Sequence, residues 1–161
     1  MPSATQQALE RLTAIKGKES PPGAWHTVTQ EQIDAFARTT LDDQFIHTDA
    51  VRAARESPFG TTIAHGFLTL SLASHLVTSI PRPSPDPYEG RAVAINYGLD
   101  RVRFPMPVRV NSRIRARQSL ASVEQKDERT LQLVHHITIE IEGETKPACV
   151  ADYVTRAIFA S

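Results

Sequence analysis

The stretch TTIAHGFLTLSLASHLVTSI, residues 61–80, is the longest apolar stretch of the chain and decides the fold. Its composition predicts a helix from about His65 to Ser79 that is apolar on nearly every side. A helix of that kind is buried inside a protein and does not lie on its surface. The sequence therefore predicts one central helix around which the rest of the chain folds.

A proline-rich segment follows this helix directly. It reads IPRPSPDPYEG, residues 80–90, and contains four prolines. Because proline lacks a backbone N–H and fixes φ, such a segment fits neither a helix nor a central strand. It is predicted to be a long loop that separates a helical first half of the chain from a second half made of strands.

Three shorter helices are predicted in the first half. Residues 5–15 carry apolar side chains at helical spacing. Thr29 and Gln32 form a capping-box pattern that opens a second helix. Asp49 is placed to cap a third, short helix over residues 50–56. The chain is therefore expected to be helical up to the central helix.

Four extended segments are predicted in the second half: AVAINYGLDRVRF, RVNSRIRARQSLASVEQ, ERTLQLVHHITIEIEG and ACVADYVTRAIF. In the third segment, every second residue from 131 to 141 belongs to one predicted face. These six residues are Leu131, Leu133, His135, Ile137, Ile139 and Ile141. Long antiparallel strands after one apolar helix indicate a sheet wrapped around that helix, an α+β architecture. Such a sheet still presents an edge, so pairing with a second copy in a homodimer is expected.

Length and charge limit the classes of function. The chain has 161 residues, which suits one domain over residues 1–161. Its 18 Lys and Arg balance its 18 Asp and Glu, so no global field attracts nucleic acid or an anionic membrane. A single cysteine, Cys149, excludes an intrachain disulfide and suits a reducing cytoplasm. Neither a signal peptide nor an apolar run of about 18 residues is recognisable, so no membrane span is predicted.

Two carboxylates precede a histidine in TTLDDQFIHTDA, residues 39–50. Asp42 and His47 are separated by four residues across a predicted helix end and loop, from which two side chains can converge. A carboxylate beside an imidazole can hold a water molecule and move its proton near neutral pH. The alternative from spacing alone is that an aspartate caps a helix end while His47 bonds to the backbone.

The motif IAHGF places Gly66 at the entry to the central helix. A helix N-terminus offers unpaired N–H groups and the positive end of the macrodipole, and glycine lets a ligand carbonyl approach the backbone closely. This arrangement suits an oxyanion hole. Alternatively, the glycine serves close helix packing. The neighbouring His65 is a weaker candidate for binding substrate and fits a hydrogen-bonded structural group better.

The remaining histidines and serines give weaker signals. No H-E-x-x-H motif is present, and His65 and His75 do not share a helix face. His135 and His136 point to opposite sides of a predicted strand. No metal site is therefore predicted. The serines of the central helix lack the G-x-S-x-G elbow of serine hydrolases.

Arginines alternate along two predicted strands. Arg101 and Arg103 share one strand face, and the next strand carries Arg113, Arg115 and Arg117 on one face. These side chains could hold the phosphates of a nucleotide-bearing substrate, or they could form an ordinary solvated sheet face. No glycine-rich phosphate loop or Rossmann fingerprint is present, so a redox nucleotide is not predicted.

Three segments taken together, TTLDDQFIHTD, SPFGTTIAHGFLTLSL and INYGLDRVRFPMPV, resemble the MaoC-like dehydratases in this order. This is the family of (R)-specific enoyl-CoA hydratases, and the likeness is greatest to its NodN-like branch, over roughly residues 25–125. The resemblance implies the hot-dog fold, in which an antiparallel sheet wraps one long helix, and it implies a dimer.

The resemblance also implies roles for individual residues. The family motif Gly-Asp-x-Asn-Pro-x-His falls on residues 41–47, so its acid/base aspartate and histidine correspond to Asp42 and His47. The motif's Gly, Asn and Pro are replaced here by Leu41, Gln44 and Phe45. The family's oxyanion glycine corresponds to Gly66, and the helix serine that supports its active site corresponds to Ser74.

The implied activity is the addition of water to a trans-2-enoyl-CoA to give a (3R)-3-hydroxyacyl-CoA. No metal or redox cofactor is expected, because a conjugated thioester is already electrophilic. Two other functions remain open: a hot-dog acyl-CoA thioesterase and a non-catalytic acyl-CoA or acyl-carrier binder. Chain length, pathway and the division of labour between Asp42 and His47 are not determined by the sequence.

Overall fold

The computed structural model of the protein describes residues 2–160. The helices are α1 (Ala4–Ile15), α2 (Gln30–Thr40), α3 (Phe45–Thr48), α4 (Ala50–Glu56) and α5 (Gly66–Thr78). The strands are β1 (His26–Thr27), β2 (Arg91–Arg103), β3 (Arg113–Gln125), β4 (Thr130–Ile141) and β5 (Cys149–Phe159). The helical first half and the extended second half are therefore confirmed.

The strands form one antiparallel sheet in the order β1-β3-β4-β5-β2. β4 lies at the centre and alternates as predicted, since its six odd-numbered residues from Leu131 to Ile141 are buried. The proline-rich segment, residues 80–90, is a loop that carries the chain from α5 to the edge strand β2. The sheet curls around α5, which packs against β3 and β5. This is the hot-dog architecture that the resemblance implied.

Two clusters of apolar side chains hold the layers together. The larger one lies between α5 and the sheet and includes Leu68, Ala73, Leu76, Ile114, Ile137 and Ile139. The smaller one joins α1 to the other end of the sheet through Ala8, Leu12, Leu131, Leu133 and Phe159. Fully burying one aliphatic side chain of this size stabilises a fold by about 1.5–3 kcal/mol.

The position of the central helix was predicted well, but its burial was not. α5 begins at Gly66, with His65 as the N-cap residue, and ends at Thr78. Only one side is buried, whereas Phe67 is 67% exposed and Ser74 is exposed as well. The prediction of a helix buried on nearly every side is therefore wrong. The reason is that the curled sheet of one chain covers a single side of the helix.

The predicted helix starts are confirmed. Thr29 Oγ1 accepts a hydrogen bond from the Gln32 N–H at 3.3 Å, and the Gln32 side chain bonds back to the Thr29 N–H at 3.4 Å. Asp49 Oδ1 caps α4 by accepting from the Arg52 N–H at 2.9 Å. Caps of this kind contribute about 1 kcal/mol each. They fix the starts of α2 and α4, the helices before and after the segment that carries Asp42 and His47.

The edge strand β2 has one hydrogen-bonded neighbour, β5, within residues 2–160. Four of its large apolar side chains are exposed: Val93, Ile95, Tyr97 and Leu99. An apolar edge of this length is a ready surface for pairing with another strand. Among the described residues, no helix is both long enough and apolar enough to cross a membrane.

Candidate active site

The loop that carries Asp42 begins with a tight turn at Leu41. Leu41 ends α2 with φ of 62° and ψ of 23°, in the left-handed region that favours glycine, and its side chain is exposed. The family motif has glycine at this place, and glycine adopts the turn without strain. Leu41 adopts a left-handed conformation that is unfavourable for a residue with a side chain. This indicates that the surrounding structure holds the loop in place.

His47 lies in α3 with its ring turned into the protein, so that the residue is only 7% exposed. Its Nδ1–H donates to the carbonyl oxygen of Ile63 at 2.7 Å. Because a carbonyl can only accept, the neutral ring keeps a lone pair on Nε2. Burial lowers the pKa of His47 below 6.5, although the Ile63 contact and Asp42 oppose the shift. At neutral pH, His47 is therefore an uncharged base.

The Asp42 carboxylate lies next to His47. One carboxylate oxygen, one His47 ring nitrogen and one His65 ring nitrogen all lie within 4.8 Å of one another. Two groups at such a separation can share a water molecule, because each hydrogen bond to it spans about 2.8 Å. Asp43 lies outside this cluster, and its carbonyl accepts from Thr48 Oγ1 at 3.1 Å. The structure brings Asp42 and His47 together, while their catalytic roles remain a prediction.

His65 holds the Asp42 loop in place. It is 2% exposed, and its Nε2–H donates to the backbone carbonyl of Asp42 at 2.8 Å. Its ring stacks on that of His47, with centroids 3.7 Å apart and planes inclined by 22°. Its Nδ1 is buried without a hydrogen-bond partner among the described residues. These contacts favour a positioning role over direct binding of substrate.

The same three side chains raise the question of a metal ion, because their ligand atoms are close together. Each histidine already donates one ring N–H to a carbonyl, which leaves one lone pair per ring. Imidazole binds a metal within its ring plane, and the two planes here are stacked almost parallel. One ion therefore cannot lie in both planes. The geometry suits a shared water better than a metal.

Gly66 is the first residue of α5, and within residues 2–160 no side chain caps the N–H groups at this end of the helix. The ring of Phe104 lies against it. A Cβ on Gly66 would be 2.9 Å from Phe104 Cδ2 and 3.0 Å from Cγ, closer than real contacts allow. The packing explanation for the glycine therefore holds. It does not exclude the oxyanion role, because the N-terminal backbone N–H groups remain free of a side-chain cap.

Ser74 lies about two turns further along α5. Its Oγ is 3.1 Å from the hydroxyl oxygen of Tyr153 on β5, and either group can donate. The resemblance implied that Ser74 supports the active site. Its hydrogen bond leads instead to the sheet, and it belongs to neither the Asp42 nor the His47 contacts.

The predicted arginine stripes are largely neutralised. The Arg101 guanidinium pairs with the buried Asp152, which also accepts from His136. Burial raises the pKa of Asp152, but the bonds from His136 and Arg101 lower it overall. Arg103 is exposed, donates to the Val102 carbonyl and has no carboxylate partner among residues 2–160. The second stripe is paired with acidic side chains, as in Arg113–Glu142, Arg115–Glu140 and Arg117–Glu140.

A cavity of about 700 Å³ lies between the second half of α5, the inner face of the sheet and the proline-rich loop. Ala73, Ser74 and Val77 line it from α5, so one helix connects the Gly66 site with this cavity. Tyr88 of the loop contacts His135 of β4, with Oη and Nε2 2.9 Å apart. An acyl tunnel closed by the proline-rich loop and the helix is expected from the resemblance, but its shape and its lining from the sheet could not be predicted, because its walls come from elements far apart in the chain. One signal was visible, since His135 is the only polar residue on the inward face of β4.

Alignments with known proteins cover nearly the whole chain. Residues 13–141 match the family model described as MaoC like domain. A protein of Mycobacterium tuberculosis named 3-hydroxyacyl-thioester dehydratase Z is 46% identical over 156 residues, 96% of this chain and 98% of that protein. Nodulation protein N of Rhizobium meliloti is 41% identical over 153 residues, 94% of this chain and 92% of that protein.

A solved structure shares the fold. It is that of C-terminally truncated HadBC, a 3R-hydroxyacyl-ACP dehydratase complex of Mycobacterium tuberculosis. It superimposes with a TM-score of 0.67 at 21% identity, over 89% of this chain and 96% of that chain. At this identity, the likeness concerns the fold alone.

Proposed function

The chain belongs to the MaoC-like family, in its NodN-like branch, and on that premise we propose that it adds water to trans-2-enoyl thioesters and catalyses the reverse dehydration. The product of hydration is a (3R)-3-hydroxyacyl thioester. The observation that carries the proposal is the cluster of Asp42 and the uncharged His47, with side chains close enough to share a water. The name of the 46% identical relative supports the same class of reaction.

The reaction follows from the properties of these groups. The thioester carbonyl accepts a hydrogen bond from the N–H of Gly66, which stabilises the negative charge that develops on this oxygen during addition. Water held by Asp42 and His47 attacks C3, and the Nε2 lone pair of His47 accepts the proton that the water loses. The pair then delivers a proton to C2 on the same face. The carboxylate of Asp42 orients the water and stabilises the positive charge on the imidazolium.

The carrier and the cellular setting are part of the proposal. Coenzyme A is the proposed carrier, and Arg103 is the arginine available for its phosphates, because Arg101 is held by Asp152. A cytoplasmic location fits the free, buried thiol of Cys149. No metal or redox cofactor is proposed, because conjugation with the thioester already makes C3 electrophilic.

The direct test follows crotonyl-CoA with two readouts on the same sample. We expect the absorbance of the conjugated enoyl group to decrease while no free thiol appears, and the product to be the (3R) alcohol by chiral chromatography. Release of CoA, detected with a thiol reagent, would indicate a thioesterase. Saturable binding without either change would indicate a non-catalytic binder. Crotonyl-ACP, assayed in parallel, distinguishes the two carriers.

The pH dependence of the reaction should report on His47. Its pKa is lowered from 6.5, so the ring stays neutral until the pH falls below that value. We expect kcat/KM for hydration to be constant near pH 7 and to decrease as the pH falls through the lowered pKa, because protonation removes the base. Steady-state rates between pH 5 and 8 test this expectation. An acidic limb centred above 6.5 would contradict the assignment of His47 as the base.

We also propose that the protein is a homodimer in which β2 of one chain pairs with β2 of its partner. The exposed apolar residues of β2 support this arrangement. Replacing both Ile95 and Tyr97 with Lys should produce a monomer by light scattering, because like charges would face each other across the interface. Val51→Lys is the matched control, since Val51 is an exposed apolar residue on α4, away from this edge. A monomeric wild-type protein at micromolar concentration would disprove the arrangement.

A further inference from the structure

Two hydrogen-bonded pairs of polar side chains lie in the cavity, whose lining combines apolar residues with other polar ones. Ser74 of α5 contacts Tyr153 of β5, and Tyr88 of the proline-rich loop contacts His135 of β4. Tyr153 and His135 are direct partners in the β4–β5 register, so the two hydrogen-bonded pairs lie side by side. We call these four side chains the polar band. All four line the cavity.

The fold does not require a polar group at position 135. His135 is flanked on the inward face of β4 by Leu133 and Ile137, and an aliphatic side chain would continue that pattern. Burial lowers the pKa of His135 to about 4, so the ring is neutral at pH 7 and gains nothing from charge. Placing polar atoms in an apolar interior is unfavourable unless they are hydrogen-bonded. A function is therefore a better explanation than packing.

The polar band retains hydrogen-bonding capacity for a ligand. In the contact between Ser74 and Tyr153, only one of the two hydroxyls can donate to the other, which leaves one O–H donor unused. A plain hydrocarbon chain in the cavity would cover this donor without bonding to it. An oxygen atom on the ligand would accept from it. The cavity is therefore better suited to a chain that carries an oxygen than to a simple alkyl chain.

The position of the band relative to the reacting carbons follows from α5. Ser74 lies eight residues beyond Gly66 on the same helix. At 1.5 Å per residue, the band is about 12 Å from the oxyanion position along the helix axis. A substituent that reaches it must be well removed from the thioester, towards the middle or far end of a medium-length chain. The chain of a crotonyl group ends before the band.

We propose that the preferred substrates are enoyl thioesters whose acyl chain carries a hydroxyl or keto oxygen at a carbon remote from the thioester, and that the polar band binds this oxygen. This inference rests on the proposed hydratase function and names the substrate class of that same site. Hydroxyl and keto groups both present the acceptor that the unused donor requires. Ser74, Tyr88, His135 and Tyr153 then determine specificity, while Asp42 and His47 carry out the reaction.

The test compares trans-2-dodecenoyl-CoA with a series of analogues in which a hydroxyl or keto group is moved along the chain. Crotonyl-CoA is the reference substrate for each protein sample, because it reports on the catalytic groups without reaching the band. For the wild type we expect kcat/KM to be about five- to tenfold higher for the best oxygenated analogue than for the plain chain, the effect of one hydrogen bond. Comparing the hydroxyl and keto series identifies which oxygen is preferred.

The double variant Ser74→Ala, Tyr153→Phe removes the pair with the unused donor and leaves no unpaired polar atom from it. We expect the preference for the oxygenated chain to fall to near unity or to reverse. Either substitution alone should keep most of the preference, because the remaining hydroxyl still has a free O–H donor. Hydration of crotonyl-CoA shows for each variant that the protein is folded. Tyr97→Phe is the matched control, since this tyrosine lies outside the cavity and should leave the ratio unchanged.

The outcomes separate the two proposals. If wild-type protein does not hydrate crotonyl-CoA, the proposed function fails. If crotonyl-CoA is hydrated but the plain chain is used as well as every oxygenated analogue, the hydratase function stands and the inference about the polar band is wrong. An oxygen preference that persists in the double variant would also overturn it.

Discussion

Replacing Asp42 with Asn is expected to lower kcat for the hydration of crotonyl-CoA by about two to four orders of magnitude, the usual contribution of a general acid or base. Asparagine has nearly the same shape but cannot carry the negative charge that orients the water and stabilises the His47 imidazolium. Because the Asp42 side chain is exposed, the change should leave folding intact. Stopped assays with high enzyme concentration can measure a residual rate of this size.

Asp43→Asn is the control for this substitution. The neighbouring carboxylate is also exposed and is altered in the same way, but it lies outside the cluster with His47 and His65. We expect its turnover to remain close to that of the wild type. Equal losses in Asp42→Asn and Asp43→Asn would contradict the assignment. We expect His47→Gln to lower kcat as much as Asp42→Asn does. The double variant should be only slightly slower than either single variant, because both residues act on one water.

The second large effect is expected for Gly66→Ala. An added Cβ would meet the ring of Phe104 at 2.9 Å and would narrow the approach of the thioester carbonyl to the helix N-terminus. We expect kcat to fall by about two to three orders of magnitude, as when one oxyanion-hole donor is lost. Binding of butyryl-CoA, a saturated analogue that can be neither hydrated nor dehydrated, shows by calorimetry whether the loss lies mainly in turnover.

Phe104 provides the control that separates two explanations for this effect. If the alanine acts only by displacing the aromatic ring, then Gly66→Ala combined with Phe104→Leu should recover most of the activity, because the smaller side chain makes room. If the Cβ itself blocks the carbonyl, the double variant should stay as slow as Gly66→Ala. Full recovery would therefore show that the loss in Gly66→Ala came from the displaced ring and not from a Cβ that blocks the carbonyl.

The fold was predictable from the sequence to the extent that local signals determine it. The capping box of Thr29 and Gln32, the cap at Asp49 and the alternation of β4 all appeared where predicted. The burial of α5 was predicted wrongly, because hydrophobicity reports what a helix can bury and not how far one sheet reaches around it. Ser74 and Phe67 on the open side illustrate the difference.

The candidate site was predictable only in part. The pairing of Asp42 with His47 followed from spacing together with the family resemblance. The contacts of His65 and Phe104 did not, because they join segments that are remote in the chain. The proposed phosphate role of Arg101 is weakened by Asp152, a partner that no spacing rule reveals. The cavity required the proline-rich loop, α5 and the sheet to be seen together.

The stack of His65 on His47 fixes the orientation of the His47 ring. One face of that ring is covered by His65, with centroids 3.7 Å apart, and its Nδ1 is bonded to the Ile63 carbonyl oxygen. A flip of the ring would break the bond to Ile63, so Nε2 is the nitrogen left for a bound water. We therefore expect water to bind without any prior rotation of the imidazole.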